Sequence, residues 1–401
     1  MPAFFRLRRE AATAVRAGDA SLARTKITEA LALMPTHPGV LLSAARLTAR
    51  QDPAGAVELL HRYARLGLIL DITTDEALSP LAQRLDFAPV AERLAANRKP
   101  IGQLAPIASL VGAPLAESVA YDPKRKRLLI SQVHGRKILA ISADGTASDF
   151  TPTADDLWSV FGIVAEPKSR TLWALTSAAD QTRELTPTAK GSNALLRIDL
   201  DTGEILARYG APFDGAKRQL GDLTLATDGT VYASNSLGGE IWRLRPGAQD
   251  LDLLVRSEEI GSAQGLAVSP DGSALLVADY PSGLHRIDLT TAEITPVAVP
   301  TDLSLTGADG VLRDGQTLIV VQNGVTPQRV LRLSISRDGR RVTRGEVIAT
   351  NLPDLDEPTG GVMRGRHFIF VARSQWSDFG PNGQPREGLS PAKVMSLRIA
   401  P

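Results

Sequence analysis

A chain of 401 residues with 43% hydrophobic and 22% charged residues has the makeup of a folded protein of two or three domains, which excludes a disordered or collagen-like chain. Lys and Arg number 45 against 44 Asp and Glu, and the resulting net charge of +1 provides no global attraction to nucleic acid or to an acidic membrane surface. The absence of cysteine rules out disulfides, thiolate catalysis and cysteine-ligated metals.

From the start, Met1 to Thr13 lacks the apolar stretch and small-residue cleavage site of a signal peptide, and no later apolar run reaches the roughly 18 residues needed to cross a bilayer. A soluble protein with no nucleic-acid and no membrane partner is expected, cytoplasmic or, if a leader has been removed, periplasmic. Residues 1–100 are rich in Ala, Leu and Arg, with Gly and Pro only at breaks. A shift of 34 residues superposes Leu7 on Leu41, Ala11 on Ala45 and Ala30 on Ala64, the period of tetratricopeptide repeats. This segment reads as a tetratricopeptide-like helical domain, with a further helical stretch over Ala77 to Leu85 and Pro89 to Asn97. Its consensus aromatics are mostly missing.

Beyond Pro100 the composition shifts to Gly, Asp, Thr, Val and short apolar runs. Six times a small residue precedes an apolar-x-apolar pair, a turn and two further apolar runs, in segments starting at 118, 162, 222, 265, 310 and 361. A recurrence near 45 residues with several short strands per unit predicts a six-bladed β-propeller over 101–401, so the chain as a whole is mainly β with an N-terminal α-helical domain. The last unit stops after its third strand. The spare apolar run 103–110 is placed to complete it and close the ring.

In such a ring the residues entering the first strand of each blade converge at one mouth. They are Glu117, Phe161, Gly221, Gln264, Asp309 and Gly360. Two carboxylates and a carboxamide in one register suit a hard divalent cation that takes oxygen ligands, although most polar propeller mouths are simply solvated strand ends. The exits of the second strands face the same mouth and include His134, Asn235 and Asn323. His134 offers a second acid–base group, or else is a solvated loop histidine. Trp158 and Trp376 could wall a substrate, or pack as rim aromatics. No nucleophile triad or phosphate-binding loop is present.

The phrases Ala-Glu-Ser-Val-Ala-Tyr-Asp at 116, Ala-Gln-Gly-Leu-Ala-Val-Ser-Pro-Asp-Gly at 263 and Ala-Asp-Gly-Val at 308 resemble the motifs of the gluconolactonase and regucalcin (senescence marker protein) family of six-bladed propellers. That resemblance covers roughly 105–401 and implies one divalent cation, calcium first, with manganese, zinc or magnesium as alternatives. Its ligands would be Glu117, Gln264 and Asp309, and Asp309 would double as general base for water attack on a lactone. Two positions depart from the family pattern. Gln264 stands where Asn is usual, and Gly221 where a substrate-side Asn is expected, with Asp222 and Asn235 able to serve that space together with Asn323. Two functions follow: a metal-dependent hydrolase of a small lactone or ester at the mouth, or a non-catalytic propeller whose helical domain docks a peptide or protein partner.

Overall fold

The computed structural model describes residues 2–112, 114–152, 157–212 and 214–399. It resolves into two compact units. The first holds the residues up to Pro100 together with Ala298–Thr306 and Val325–Pro327, and the second holds the remainder.

The first unit contains α1 (Pro2–Arg16), α2 (Ala20–Leu33), α3 (Pro38–Thr48), α4 (Pro53–Arg65) and α5 (Ala88–Ala96). Asp19 and Asp52 cap α2 and α4, each accepting from a backbone N–H three residues on, which satisfies a donor that the first helical turn leaves open. Leu7, Ala11 and Ala30 in the first helix pair, and Leu41, Ala45 and Ala64 in the second, are all buried, so the 34-residue spacing marks equivalent core positions. The expected helix over Ala77 to Leu85 is instead a pair of 3-10 turns, Ser79–Gln83 and Leu85–Phe87. Pro80 removes one N–H, and Asp75 draws the N–H groups of Ala77 and Leu78 to its side chain. Among the described residues no helix is long and apolar enough to cross a membrane.

The second unit is a propeller of six four-stranded antiparallel sheets. Blade one runs Ala116–Asp122, Arg127–Gln132, Lys137–Ile141 and Ala147–Asp149, and blades two to five repeat that order, each from one continuous stretch of chain. The sixth blade is composite. Gly361–Arg364, His367–Arg373 and Ala392–Arg398 supply its inner three strands, and Leu104–Leu110 adds the outer one, with Leu104 opposite Leu397 and Leu110 opposite Ala392. This pairing closes the ring and covers the edge that the last strand would otherwise expose.

One irregularity recurs. In blades one to five the inner strand loses register with its neighbour near its start, between Ala116 and Val119, Val160 and Ile163, Leu220 and Leu223, Ala263 and Leu266, and Ala308 and Val311. Two residues are thereby lifted out of the ladder, as a β-bulge does where a side chain is re-aimed. The first of each pair is Glu117, Phe161, Gly221, Gln264 or Asp309. Freed backbone N–H groups find side-chain acceptors, as when Ser118 N–H donates to Ser131 Oγ at 2.9 Å and Asp222 N–H to Ser234 Oγ at 3.2 Å. Gly162, Gly265 and Gly310 take three of the second positions, and at two of them the neighbouring strand comes too close for a side chain: a Cβ on Gly265 would lie 2.4 Å from the Val311 nitrogen, and one on Gly162 would lie 2.9 Å from the Gly221 carbonyl oxygen.

Candidate active site at the propeller mouth

All five bulge residues line one cavity of about 260 Å³, joined by Asp222, Gln219, Ser236, Tyr280, Asn323, Glu357 and Trp376. Four carboxylates thus share a wall with no Lys or Arg among the described residues. Backbone contacts between blades hold the ring in place. Glu117 accepts at its carbonyl from Thr359 Oγ1 (2.6 Å) and Gly360 N–H (2.9 Å), which ties blade one to blade six.

Each acidic side chain is oriented differently. Asp309 Oδ2 accepts from Asn323 Nδ2 at 2.7 Å; the same amide group donates to the Pro358 carbonyl at 3.0 Å, and Asn323 Oδ1 accepts from the Tyr280 hydroxyl at 3.0 Å. Glu117 Oε2 accepts from Trp376 Nε1 at 2.8 Å. Glu357, held with φ +51°, accepts from Ser377 N–H at 2.6 Å. No donor among the described residues reaches the Asp222 carboxyl. Gln264 donates through Nε2 to Ser262 Oγ at 3.2 Å, leaving its Oε1 without a donor among the described residues.

Burial and mutual repulsion set the protonation. Glu117, Asp222 and Asp309 keep some accessible surface in the cavity, yet the protein packed around them penalises the charged form. Burial and the charge of Asp309 push Asp222 up to about 8. Glu117 is raised well above the ordinary carboxylate range by burial, then by Asp309 and Asp222. Asp309 is raised by burial, with the Asn323 hydrogen bond pulling the other way. Burial also lifts the Tyr280 hydroxyl to about 12, so it remains a donor at neutral pH.

The residues singled out in the sequence divide into two groups. Glu117, Asp222, Gln264, Asp309, Asn323 and Trp376 meet at the cavity, whereas His134, Asn235 and Trp158 do not line it. His134 is buried, with Nδ1 donating to the Gln181 carbonyl at 2.7 Å and its ring against Phe379, so it is a packed loop residue and not an acid–base partner of Asp309. Asn235 is fully buried: it accepts from the N–H groups of Gln219 and Leu237 and donates to the Lys217 carbonyl and Glu240. Those bonds fill its hydrogen-bonding capacity, so it shapes the approach loop and has nothing to offer a substrate. Trp158 enters blade two with its N–H on Thr176 Oγ1, outside the cavity. Glu357, Tyr280 and Gln219 join the site in their place.

The candidate ligands are of the oxygen type that a hard divalent cation takes. Every candidate ligand is an oxygen, the carboxylates face one another without a counter-cation, and one carboxamide oxygen is unused. Among the described residues no three carboxylate or imidazole groups converge closely enough to hold an ion by themselves. The Gln264 carbonyl and water would have to complete any such site.

No protein-family model matches the chain, and no curated protein matches it. Solved structures share the fold. A protein assigned as a gluconolactonase aligns over 74% of this chain and 92% of its own, at 19% identity and a TM-score of 0.51. The PQQ-bound aldose sugar dehydrogenase of Streptomyces coelicolor aligns over 75% and 98%, at 15% identity and the same TM-score. A protein assigned as a gluconolactonase and a PQQ-bound dehydrogenase share one architecture, which supports the propeller and leaves the chemistry to the side chains.

Proposed function

We propose that the propeller is a lactonase-like hydrolase that opens a small lactone or ester at the mouth cavity with the help of one divalent cation. The observation behind this reading is the set of Glu117, Asp222, Asp309 and Glu357 carboxylates on one cavity wall without a basic residue. Glu117, Asp309 and the Gln264 carbonyl are the ligands that this reading assigns. A cation bound there would polarise the substrate carbonyl and lower the pKa of a coordinated water.

The chain's own residues do the rest. With Oδ2 held by Asn323, Asp309 presents Oδ1 to a water and takes its proton as the hydroxyl oxygen bonds to the carbonyl carbon. Asp222, which burial and the charge of Asp309 push up to about 8 in the cation-free cavity, is the carboxyl assigned to deliver a proton to the alkoxide oxygen released when the ring C–O bond breaks. Two carboxyls whose protonation is held apart by their surroundings supply base and acid in one site. Trp376 and Tyr280, which line the same cavity, would flank the substrate.

The test is metal analysis of protein purified without chelator, followed by hydrolysis of simple lactones and aryl esters with calcium, manganese, zinc or magnesium added. Cation-dependent turnover that disappears in Asp309→Asn, with the fold retained, supports the proposal. Failure of every cation to raise the melting temperature, together with no turnover, overturns it. In that event a binding role takes its place, for which the exposed Val15, Leu22 and Leu33 of the helical unit are the apolar surface available to a peptide.

A further inference from the structure

Between the outer strand of blade six, which ends at Leu110, and the inner strand of blade one, which starts at Ala116, the chain is held at Gly112 and Leu115 by the side chain of Gln375. Gln375 is 2% exposed, and its amide uses both donors: Nε2 donates to the Gly112 carbonyl at 3.2 Å and to the Ser390 carbonyl at 2.6 Å, while Oε1 accepts from Leu115 N–H at 3.1 Å. Two carbonyls and one N–H leave the amide a single orientation. Gln375 has φ +86°, and the fully buried Leu115 has φ +47°. Neither is glycine, and other residues keep such a conformation only where their surroundings hold it. Leu115 lies two residues before Glu117, and its carbonyl accepts from Val133 N–H at 2.9 Å, so both of its backbone groups are fixed. The two residues after Gln375 reach the mouth itself. Trp376 Nε1 donates to Glu117 Oε2, and Ser377 N–H donates to Glu357 Oε2.

We infer that Gln375 is a positioning residue of the mouth: it pins the turn that it opens to both sides of the ring's seam, and from that turn Trp376 and Ser377 aim the carboxylates of Glu117 and Glu357. The role rests on the hydrolase reading only in that these carboxylates then serve a cation. Glu117 stands on blade one, yet its side chain is oriented from blade six. Gln375 does not itself line the cavity, so it acts through its neighbours alone. Without the amide nothing holds the turn in its left-handed start, and the indole of Trp376 is free to leave Glu117.

The experiment follows the indole N–H groups of the full-length protein by NMR at one pH, with chelator present. Trp173 and Trp242 also donate to glutamates, Glu166 at 3.2 Å and Glu240 at 3.0 Å, and serve as internal references in blades two and three. Gln375→Gly tolerates the backbone conformation and removes the amide. Gln375→Glu keeps the shape and the acceptor and removes both donors. In each variant the exchange of Trp376 N–H with solvent should quicken about fivefold or more, the worth of one hydrogen bond, while both references stay as they are. The dissociation constant for calcium or manganese, read by calorimetry without chelator, should rise by a similar factor. Quickening confined to Trp376, together with weaker cation binding, supports the inference. The same quickening in a protein that binds no divalent cation and hydrolyses no lactone also supports it, and overturns the hydrolase reading instead. Unchanged Trp376 exchange in both variants overturns the positioning role, as does cation binding at wild-type strength. Loss of protection at Trp173 and Trp242 along with Trp376 overturns it too, by making Gln375 a residue of general stability.

Discussion

Asn323 holds Asp309 by a single 2.7 Å hydrogen bond from its Nδ2, while its other face is fixed by the Tyr280 hydroxyl at 3.0 Å. That bond is the one influence that favours the ionised form of Asp309 against its burial. Asn323→Leu keeps the shape and removes the donor. A hydrogen bond to a charged group contributes about 1.5–3 kcal/mol, so the acid limb of the pH–rate profile should move up by about one to two pH units. Tyr280→Phe, one bond further out, should move it less. A profile unchanged in Asn323→Leu would show that Asp309 is not the titrating base.

The protonated carboxyls also make the fold pH-sensitive. Unfolded, Asp222 loses its proton near its ordinary value of 3.8; folded, it keeps it to about 8. Between those limits the native state binds the extra proton, so stability falls as pH rises from about 4 to about 8. Asp222→Asn should flatten that slope and raise stability at pH 8. Urea midpoints at pH 5 and pH 8 in the presence of chelator measure it. A divalent cation held by Glu117 and Asp309 should oppose the trend, because those two ligands bind it in their ionised form and so add stability as pH rises.

At Gln264 the long side chain bends so that Nε2 meets Ser262 Oγ. Gln264→Asn shortens it by one methylene and keeps the carbonyl donor. Cation affinity, read as the shift of melting temperature with calcium or manganese, should be kept or increased. Gln264→Leu, which has no oxygen donor, should lower it at least tenfold.

Glycine at position 265 is a matter of space. A Cβ there would stand 2.4 Å from the Val311 nitrogen and 2.5 Å from the Asp309 carbonyl oxygen, both backbone atoms of the next inner strand. Gly265→Ala should cost about 1–3 kcal/mol by overpacking and displace the strand that bears Asp309. Turnover should therefore fall by more than the fraction unfolded, a difference that denaturation curves and rates measured at one temperature will reveal.

The propeller was readable because every blade repeats the same inner-strand phrase, and a repeated phrase places its entry residue at the same mouth. Glu117, Gln264 and Asp309 share a cavity for that reason. Asp222 meets them from one step further along, as the second residue of its bulge, a place that strand alternation alone does not reveal. Glu357 lies in the loop before blade six, in a left-handed backbone conformation with no strand register to announce it. His134 and Asn235 stand at the correct end of their blades, yet His134 Nδ1 is spent on the Gln181 carbonyl, and Asn235 on the N–H groups of Gln219 and Leu237, the Lys217 carbonyl and Glu240. Which polar residues serve the backbone and which serve a ligand is decided by loop conformation, and no period in the sequence encodes that.

The pairing of Leu104 with Leu397 joins segments about 290 residues apart by hydrogen bonds and packing alone. Five sheets can zip up from contiguous chain, but the sixth waits for partners from opposite ends of the ring, and long-range closures of this kind are slow. Glu117 receives two of its backbone hydrogen bonds from Thr359 and Gly360, just across that seam. The carboxylate cluster, with Glu117 on blade one and Glu357 in the loop before blade six, should therefore be complete only once the ring has closed. Pulling on the seam would disarm the mouth while the individual blades were still intact.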